Sequence, residues 1–468
     1  MLFSGLIFSL LLIASIAVWA GRQPRKSDKL SVRLVTGLIL GTFIGGACTI
    51  GTAQLAFKVG MSAWWFSLGG GIGCIFLALT LADPLRKAGC PTIVGILSHN
   101  YGRNTGLMAT ILNGLGTYIN VLVQYISATS ILAVIAPDLS RTAAILLTMV
   151  VMLAYVLFGG NRGAGIVGLL KLILIFVSMI LCGLIVLWQT GGPIGFVDMV
   201  HTIDNPTGIA FLNPFGRGFG IDMGACFSLI AGLASTQIYA QAVINAESSA
   251  AAKKGLVISS FMLPILGAGG ILVGLWMRAN FPDIVDKTAL TQFILMQFPE
   301  FVAGIILGTL FICVIGTGAG LSLGLATVIS NDVVRSWSKK TPTIKQTIRN
   351  TRNFIAVVLV SASVVCLCAK NETILLYAFL SMALRGGGVI APLCFALWQK
   401  RKINKHFATA SVIVGSIVVI FFNVVRVFPF DPLFIGVLLS AVILWLGIDK
   451  ENRTQASASS TLNNLTNG

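Results

Sequence analysis

LVTGLILGTFIGGACTIGTAQLAFKVG, residues Leu34–Gly60, is long and apolar enough to cross a lipid bilayer. Its middle also carries a cluster of glycines at positions 37, 41, 45, 46 and 51, mixed with threonines and a glutamine. Each glycine weakens a helix by about 1 kcal/mol relative to alanine, so we expect this segment to unwind inside the membrane. Unwound backbone is tolerated there only where protein or water covers it, and its free carbonyl groups can bind a cation. The alternative interpretation is that the small residues only let neighbouring helices pack closely.

The composition is that of a membrane protein. The 468 residues are 56% hydrophobic and 10% charged, with a mean hydropathy of +0.93, which excludes a soluble globular domain. The formal net charge is +17, but the basic residues lie between apolar spans, which indicates a lipid bilayer and no nucleic acid as partner. The nine cysteines contain no CxxC pair, and we interpret them as buried apolar residues.

Hydropathy predicts an all-α polytopic membrane protein with about 13 transmembrane helices. The predicted spans are 2–20, 34–57, 62–82, 106–135, 142–158, 165–188, 221–245, 254–277, 300–330, 352–369, 372–398, 406–425 and 432–447. They form a single transmembrane domain over residues 1–448. The polar, low-complexity residues 449–468 are expected to be a disordered cytoplasmic tail.

The distribution of basic residues predicts the orientation in the membrane. Of the 32 lysines and arginines, 23 lie in loops on one side of the predicted spans and seven in loops on the other. The side richer in lysine and arginine is normally cytoplasmic. The sequence therefore predicts a cell-membrane protein with its N-terminus outside and its C-terminus in the cytoplasm.

A second interrupted span resembles the first in its pattern. The seventh span has Gly232, Ser235, Thr236 and Gln237 at its centre, and it enters the membrane from the side opposite to the second span. Paired interrupted spans in two inverted halves of a chain indicate the binding site of a transporter. Chance is the competing explanation, because 51 glycines are spread along the chain.

Polar side chains also recur within other spans. The fourth span carries five of them on one helix face, which indicates either a cavity wall or hydrogen bonds between helices: Asn113, Thr117, Asn120, Gln124 and Ser127. The ninth span carries the hydroxyls of Thr317, Ser322 and Thr327, which would suit sodium because hard cations prefer oxygen ligands. The competing interpretation is that each hydroxyl bonds back to its own helix.

Two basic residues lie inside predicted spans. Arg385 stands about midway along the eleventh span, and an arginine there is costly unless it is satisfied. Either it attracts an anionic group of a substrate, such as a carboxylate, or it caps helix carbonyls or pairs with Asp222 or Glu372. Lys171 lies closer to the inner edge of its span, and we expect its ammonium to reach the membrane interface.

The rare acidic residues bear on the driving ion. Because no Asp or Glu lies deep in a span, sodium is favoured over a proton relay as the coupling ion. The sequence contains no HExxH, GxSxG or Walker motif, so we expect neither an enzyme nor a bound organic cofactor.

Four stretches together resemble the sodium:solute symporter family: GGACTIGTAQLAFKVGMSAWWF, LADPLRKAGCPTIVGILSHNYGR, STQIYAQAVINAESSAAAKKG and GLSLGLATVISNDV. The resemblance implies the fold of the bacterial leucine transporter, with five plus five helices in inverted repeats. The first repeat would span about 34–188 and the second about 221–398, with peripheral helices at 2–20, 406–425 and 432–447. It also implies sodium-coupled uptake by alternating access.

The resemblance implies two sets of site residues. By spacing, the family's sodium site falls on Gly41, Ile44, Leu323, Ala326 and Thr327, where Ala326 replaces a usual hydroxyl residue. The substrate contacts fall on Ala47, Cys48, Thr49, Asn120, Gln124, Ser235, Thr236, Gln237 and Arg385.

The leading hypothesis is therefore a sodium-coupled symporter of a small organic solute, with a carboxylate among its candidate groups. A carrier of the same fold that is driven by protons, or by no ion, is the alternative. A transporter-like sensor and an integral-membrane enzyme are two further alternatives, and the sequence favours them less.

Overall fold

A computed structural model describes residues 1–22, 29–159, 164–203, 208, 210–330, 344–369, 373–399, 402–425 and 430–448. These residues are almost entirely helical. The only β-type pairings among them are two isolated bridges, between Leu30 and Ala246 and between Ile403 and Ile448. The predicted tail 449–468 lies outside the described residues.

The first half of the chain begins with a long helix and then alternates broken and continuous segments. Its α-helices are α1 (Leu2–Arg22), α2 (Val32–Phe43), α3 (Thr52–Val59), α4 (Trp65–Phe76), α5 (Ala82–Lys87), α6 (Ile93–Tyr101), α7 (Arg103–Ile135), α8 (Arg141–Gly159), α9 (Ala164–Gln189) and α10 (Pro193–His201). Two π-helical turns, Ala47–Gly51 and Leu77–Leu81, and one 3₁₀ turn, Gly60–Trp64, join the shorter pieces.

The second half follows the same plan with longer helices. Its α-helices are α11 (Phe219–Ser235), α12 (Gln237–Ile244), α13 (Ser249–Asn280), α14 (Ala289–Gln297), α15 (Glu300–Val328), α16 (Ile344–Cys368), α17 (Ile374–Trp398), α18 (Lys405–Val425) and α19 (Leu433–Leu446). A 3₁₀ turn at Asp286–Thr288 precedes α14.

Every predicted span coincides with helix in the described residues. Within the described part of the chain, eight helices are long and apolar enough to cross a membrane, and the bent pair α11–α12 would make a ninth. One of the eight, Ala47–Lys87, has 41 residues, which at 1.5 Å per residue is about twice the hydrocarbon thickness. It covers parts of the second and third predicted spans, which meet at Gly60.

Gly60 has φ +67, and a β-carbon there would collide with the backbone of Phe211. The Met61 amide donates to the Phe211 carbonyl at 2.8 Å. A glycine at this position therefore allows both the positive φ between α3 and α4 and the close contact with the loop that carries Phe211.

The packing of the helices follows the predicted inverted repeat. Helix α2 packs on α13, and its counterpart α11 packs on α4. In the same way α7 packs on α17, and its counterpart α15 packs on α9. The contacts of α4 with α13 and of α7 with α15 map onto themselves when the two halves are exchanged. The chain therefore has the leucine-transporter-like fold, with five helical spans in each half.

Candidate transport site

The second span is interrupted at Ile44–Gly46. Helix α2 ends at Phe43, Ile44 is extended with φ −80 and ψ 92, and helix resumes as a π turn at Ala47. The predicted unwinding is present, and it frees the carbonyl of Ile44 from the helix ladder. That oxygen accepts a hydrogen bond from the thiol of Cys313 on α15, at 2.9 Å.

The five polar residues predicted to share one face of the fourth span lie on α7, and we call them the polar stripe of α7: Asn113, Thr117, Asn120, Gln124 and Ser127. Members of this stripe contact the first break. The Gly46 amide donates to Gln124 Oε1 at 3.0 Å, and Gln124 Nε2 donates to Asn120 Oδ1 at 3.2 Å. A β-carbon on Gly46 would collide with the side chain of Ser127. Because a buried amide without a partner is costly, Gln124 stabilises the unwound segment by occupying the place of the lost helical acceptor.

The seventh span is interrupted at Thr236. This residue is extended with φ −90 and ψ 123, and the axes of α11 and α12 differ by 55° there. The Ser235 carbonyl accepts a hydrogen bond from Asn113 Nδ2 at 2.9 Å. The polar stripe of α7 thus makes hydrogen bonds to both broken spans. Two of its members, Asn120 and Gln124, also line the cavity described below.

Arg385 is bonded to the second break. Its side chain is 1% exposed. Its Nη1 donates to Thr236 Oγ1 at 2.9 Å, while its Nη2 and Nε donate to the hydroxyl and the carbonyl of Ser381 at 2.7 and 3.0 Å. Asp222 pairs with Arg217 at 2.6 Å instead, and Glu372 lies outside the described residues. The sequence left open whether Arg385 attracts a substrate or bonds within the protein. In the structure it bonds within the protein, to a helix carbonyl and two hydroxyls.

A small cavity lies between the two breaks. Residues from both broken spans and from α4, α7 and α17 line it: Thr42, Phe43, Ala47, Phe66, Asn120, Gln124, Tyr239, Ala378 and Met382. Ala47, Asn120 and Gln124 are thus predicted substrate residues that the structure brings together. The sequence analysis missed the aromatic rings and Met382 in the lining. Two of these residues lie near predicted features, because Tyr239 follows the second break by one turn and Met382 precedes Arg385 by one turn.

Other predicted substrate residues point elsewhere. Cys48 and Thr49 are fully buried, and the Thr49 hydroxyl donates to the Gly45 carbonyl at 3.0 Å. Gln237 accepts from the Ile93 amide at 2.9 Å and donates to the Pro91 carbonyl at 3.3 Å. Its carboxamide therefore caps the start of α6 and does not face the cavity.

The structure separates the predicted sodium ligands. Ile44 faces Cys313, whereas Leu323 lies ten residues further along α15, about 15 Å away at 1.5 Å per residue. Thr327 is further still, and its hydroxyl donates to the Leu323 carbonyl at 2.7 Å. Gly41 lies within α2, one turn before the break, and a β-carbon there would meet nothing within 4 Å. The predicted set Gly41, Ile44, Leu323, Ala326 and Thr327 is therefore not brought together.

Two further groups accompany Ile44 at the first break. The buried Thr317 hydroxyl lies beside the Cys313 thiol, but it makes no hydrogen bond of standard geometry among the described residues. The expectation that Lys171 reaches the membrane interface is wrong. Its side chain is 6% exposed, and Nζ donates to the Cys313 carbonyl at 3.3 Å.

A cluster of aromatic rings lies at the cavity. The Phe66 ring, which lines the cavity, lies 5.1 Å from Phe43 and 5.5 Å from Phe379 between ring centres. The Arg217 guanidinium lies over Phe379 at 5.5 Å, and it is held there by its pair with Asp222. A chain of contacts therefore leads from the cavity lining through Phe66 and Phe379 to Arg217, in the loop that precedes α11.

Comparisons with known proteins identify transporters among the relatives of this chain. The sequence is similar to the High-affinity choline transporter 1 of Drosophila melanogaster, with 23% identity over 350 residues, which is 69% of this chain and 55% of the fly protein. It is also similar to the Uncharacterized symporter YwcA of Bacillus subtilis (strain 168), with 20% identity over 375 residues, covering 78% of this chain and 73% of that protein.

Among solved structures, the fold matches a substrate-bound, outward-open Na⁺-coupled sialic acid symporter with a TM-score of 0.75 and 15% identity, over 94% of this chain and 96% of that one. At this identity the match shows the fold alone. The model of the sodium:solute symporter family matches residues 31–415, which is most of the sequence. The chain therefore belongs to the sodium:solute symporter family and is a multi-pass membrane protein.

Proposed function

We propose that the chain is a secondary transporter that carries a small organic solute together with sodium by alternating access. The observation that carries the proposal is that two interrupted spans, broken at Ile44–Gly46 and at Thr236, flank one cavity. Broken helices supply free backbone groups to an ion and a solute at membrane depth. We further propose that the protein lies in the cell membrane with its N-terminus outside, as the distribution of basic residues predicts.

The groups best placed to bind sodium differ from the set that the family resemblance implied. We propose the carbonyl oxygens of Ile44 and Cys313 together with the Thr317 hydroxyl, because the two chain segments meet there. Carbonyl and hydroxyl oxygens are ligands that hard cations accept. Of the predicted set, this proposal retains Ile44.

The cavity lining indicates two classes of solute. The carboxamides of Asn120 and Gln124 can orient a polar solute, and the Arg385 guanidinium lies one layer behind the lining, bonded to Thr236. A carboxylate would reach Arg385 only if this layer moved. The rings of Phe43, Phe66 and Tyr239 favour a quaternary ammonium group instead, because aromatic faces attract cations. The relative from the fly, a choline transporter by name, supports testing this second class.

Uptake by the purified chain in proteoliposomes tests the proposal. A thermal-shift screen with organic acids, amino acids, sugars and quaternary ammonium compounds, with and without sodium, would first identify a solute. We expect uptake of that solute to need an inward sodium gradient and to stop when potassium replaces sodium. Uptake that is unchanged by this replacement would exclude sodium coupling and favour the proton-driven or ion-independent alternative.

A further inference from the structure

Lys171 places a positive charge in the protein interior beside the first break. Its ammonium donates to the Cys313 carbonyl at 3.3 Å, and the thiol of the same cysteine donates to the Ile44 carbonyl at 2.9 Å. Among the described residues, no carboxylate forms a salt bridge with Lys171. One cysteine therefore connects the ammonium to the unwound segment of the second span.

The surroundings of the ammonium are those of a cation site. The ammonium lies beside Gly316, where a β-carbon would be 3.5 Å from Lys171 Nζ and 3.3 Å from the Tyr155 hydroxyl. The Thr317 hydroxyl follows on the next residue, beside the Cys313 thiol and without a standard hydrogen bond. An ammonium has three donors, and carbonyl and hydroxyl oxygens satisfy it as they would satisfy a bare cation.

We propose that the Lys171 ammonium occupies the cation position beside the first break and is a tethered competitor of sodium there. The identity of the competing ion rests on the proposed function. The ammonium and a sodium ion would both contact the Cys313 carbonyl. Two positive charges that share one oxygen in a poorly solvated interior repel strongly, so one excludes the other. Sodium therefore binds at Ile44 and Thr317 only when the lysine side chain has withdrawn from the Cys313 carbonyl.

Direct measurement of sodium binding to the purified full chain, without solute, tests this inference. Radiolabelled sodium and sodium-dependent thermal stabilisation give two independent readouts. Lys171→Met retains the apolar length of the side chain and removes the charge, whereas Lys171→Arg keeps the charge. Lys254→Met on α13 is the matched control, because Lys254 is exposed.

We expect Lys171→Met to lower the sodium concentration for half-saturation at least tenfold, and Lys171→Arg and Lys254→Met to leave it unchanged or raise it. Sodium binding that is detected in Lys171→Met but not in the wild type would also support the inference, because the lysine charge then blocks the site completely. Equal or weaker binding by a folded Lys171→Met overturns the inference, and so does the absence of sodium binding in both proteins. Lys171→Gln replaces the methionine variant if the latter does not fold. Failure of the proposed function would be seen separately, as wild-type uptake that ignores a sodium gradient.

Discussion

The Gly46 amide donates a hydrogen bond to the Gln124 side-chain oxygen at 3.0 Å, and this bond ties the unwound segment of the second span to α7. The bond is buried, and its acceptor also lies at the cavity wall. The same side chain therefore holds the backbone of the break in place and forms part of the surface that a solute would meet.

Gln124→Ala should destabilise the protein by about 1–3 kcal/mol, because it leaves the buried Gly46 amide without an acceptor. We also expect uptake to fall at least tenfold. Ser130→Ala on the same helix is the control, since the Ser130 hydroxyl donates within its own helix to the Ile126 carbonyl, 2.8 Å away. Thermal melting in detergent and initial uptake rates measure the two effects. Equal losses in both variants would contradict a special role of Gln124.

Gly46→Ala should abolish uptake and lower the melting temperature, because the new β-carbon would collide with Ser127. Gly41→Ala lies one turn earlier and has no atom within 4 Å of the added carbon, so we expect it to be tolerated. Gly46→Ala combined with Ser127→Gly should regain part of the stability. If the two single alanine variants behaved alike, the close contact at Gly46 would not be what limits the site.

Thr317→Ala should raise the sodium concentration for half-maximal uptake at least tenfold, because it removes a hydroxyl oxygen beside Ile44. Thr317→Ser keeps that oxygen and should stay close to wild type. The family resemblance placed Thr327 in the sodium site, but its hydroxyl is bonded within its own helix at 2.7 Å, so we expect Thr327→Ala to change little. Sodium titrations of uptake by the three variants decide between the two positions.

Arg385 and Thr236 should be energetically coupled, because the guanidinium donates to the threonine hydroxyl at 2.9 Å in the buried bundle. Arg385→Gln, Thr236→Val and the double variant form a mutant cycle. We expect a coupling of about 1–3 kcal/mol in thermal or denaturant unfolding. A coupling near zero, together with a selective loss of carboxylate uptake in Arg385→Gln, would instead support direct contact between Arg385 and the solute.

Asp431 provides a prediction about pH. It precedes α19, accepts from the Leu433 amide at 2.9 Å and from the Ser228 hydroxyl at 3.2 Å, and burial raises the pKa of its carboxyl above the ordinary value of 3.8. A raised pKa means that the folded state holds its proton to a higher pH than the unfolded state does. The contribution of this group to stability is therefore present at low pH and is lost as the pH rises from 3.8 through the folded pKa.

Asp431→Asn keeps an oxygen for the Leu433 amide and removes the buried charge. We expect this variant to melt at or above the wild-type temperature at pH 7 and to lose the part of the pH dependence that starts near 3.8. Melting curves between pH 4 and 8 measure the difference. A variant that is less stable than wild type at pH 7 would show that the carboxylate is held in its charged form.

The spans and both breaks could be predicted from the sequence because their signals are local. Hydropathy marks a spanning helix, and clustered glycines or hydroxyl residues mark where it unwinds, as at Gly45–Gly46 and Ser235–Thr236. The α7 stripe was also visible, because residues three or four apart share a face.

The groups proposed to bind sodium could not be predicted in the same way. Which residue of α15 faces Ile44 depends on how far the two helices are offset along their axes, and the structure places Cys313 there, ten residues before Leu323. The environment of Lys171 likewise depends on tertiary packing, since its partner is 142 residues away. Gln237 was predicted to contact the substrate because it lies next to the second break. Its carboxamide instead accepts a hydrogen bond from the Ile93 amide at the start of α6, which the sequence does not indicate.

The two anchor points on α7 have a mechanical consequence. Asn113 holds the Ser235 carbonyl and Gln124 holds the Gly46 amide, eleven residues apart, or about 16 Å along one uninterrupted helix. One rigid helix is therefore hydrogen-bonded to both broken spans. In the transport cycle proposed above, a displacement at one break would be transmitted through α7 to the other, so the two breaks would move together.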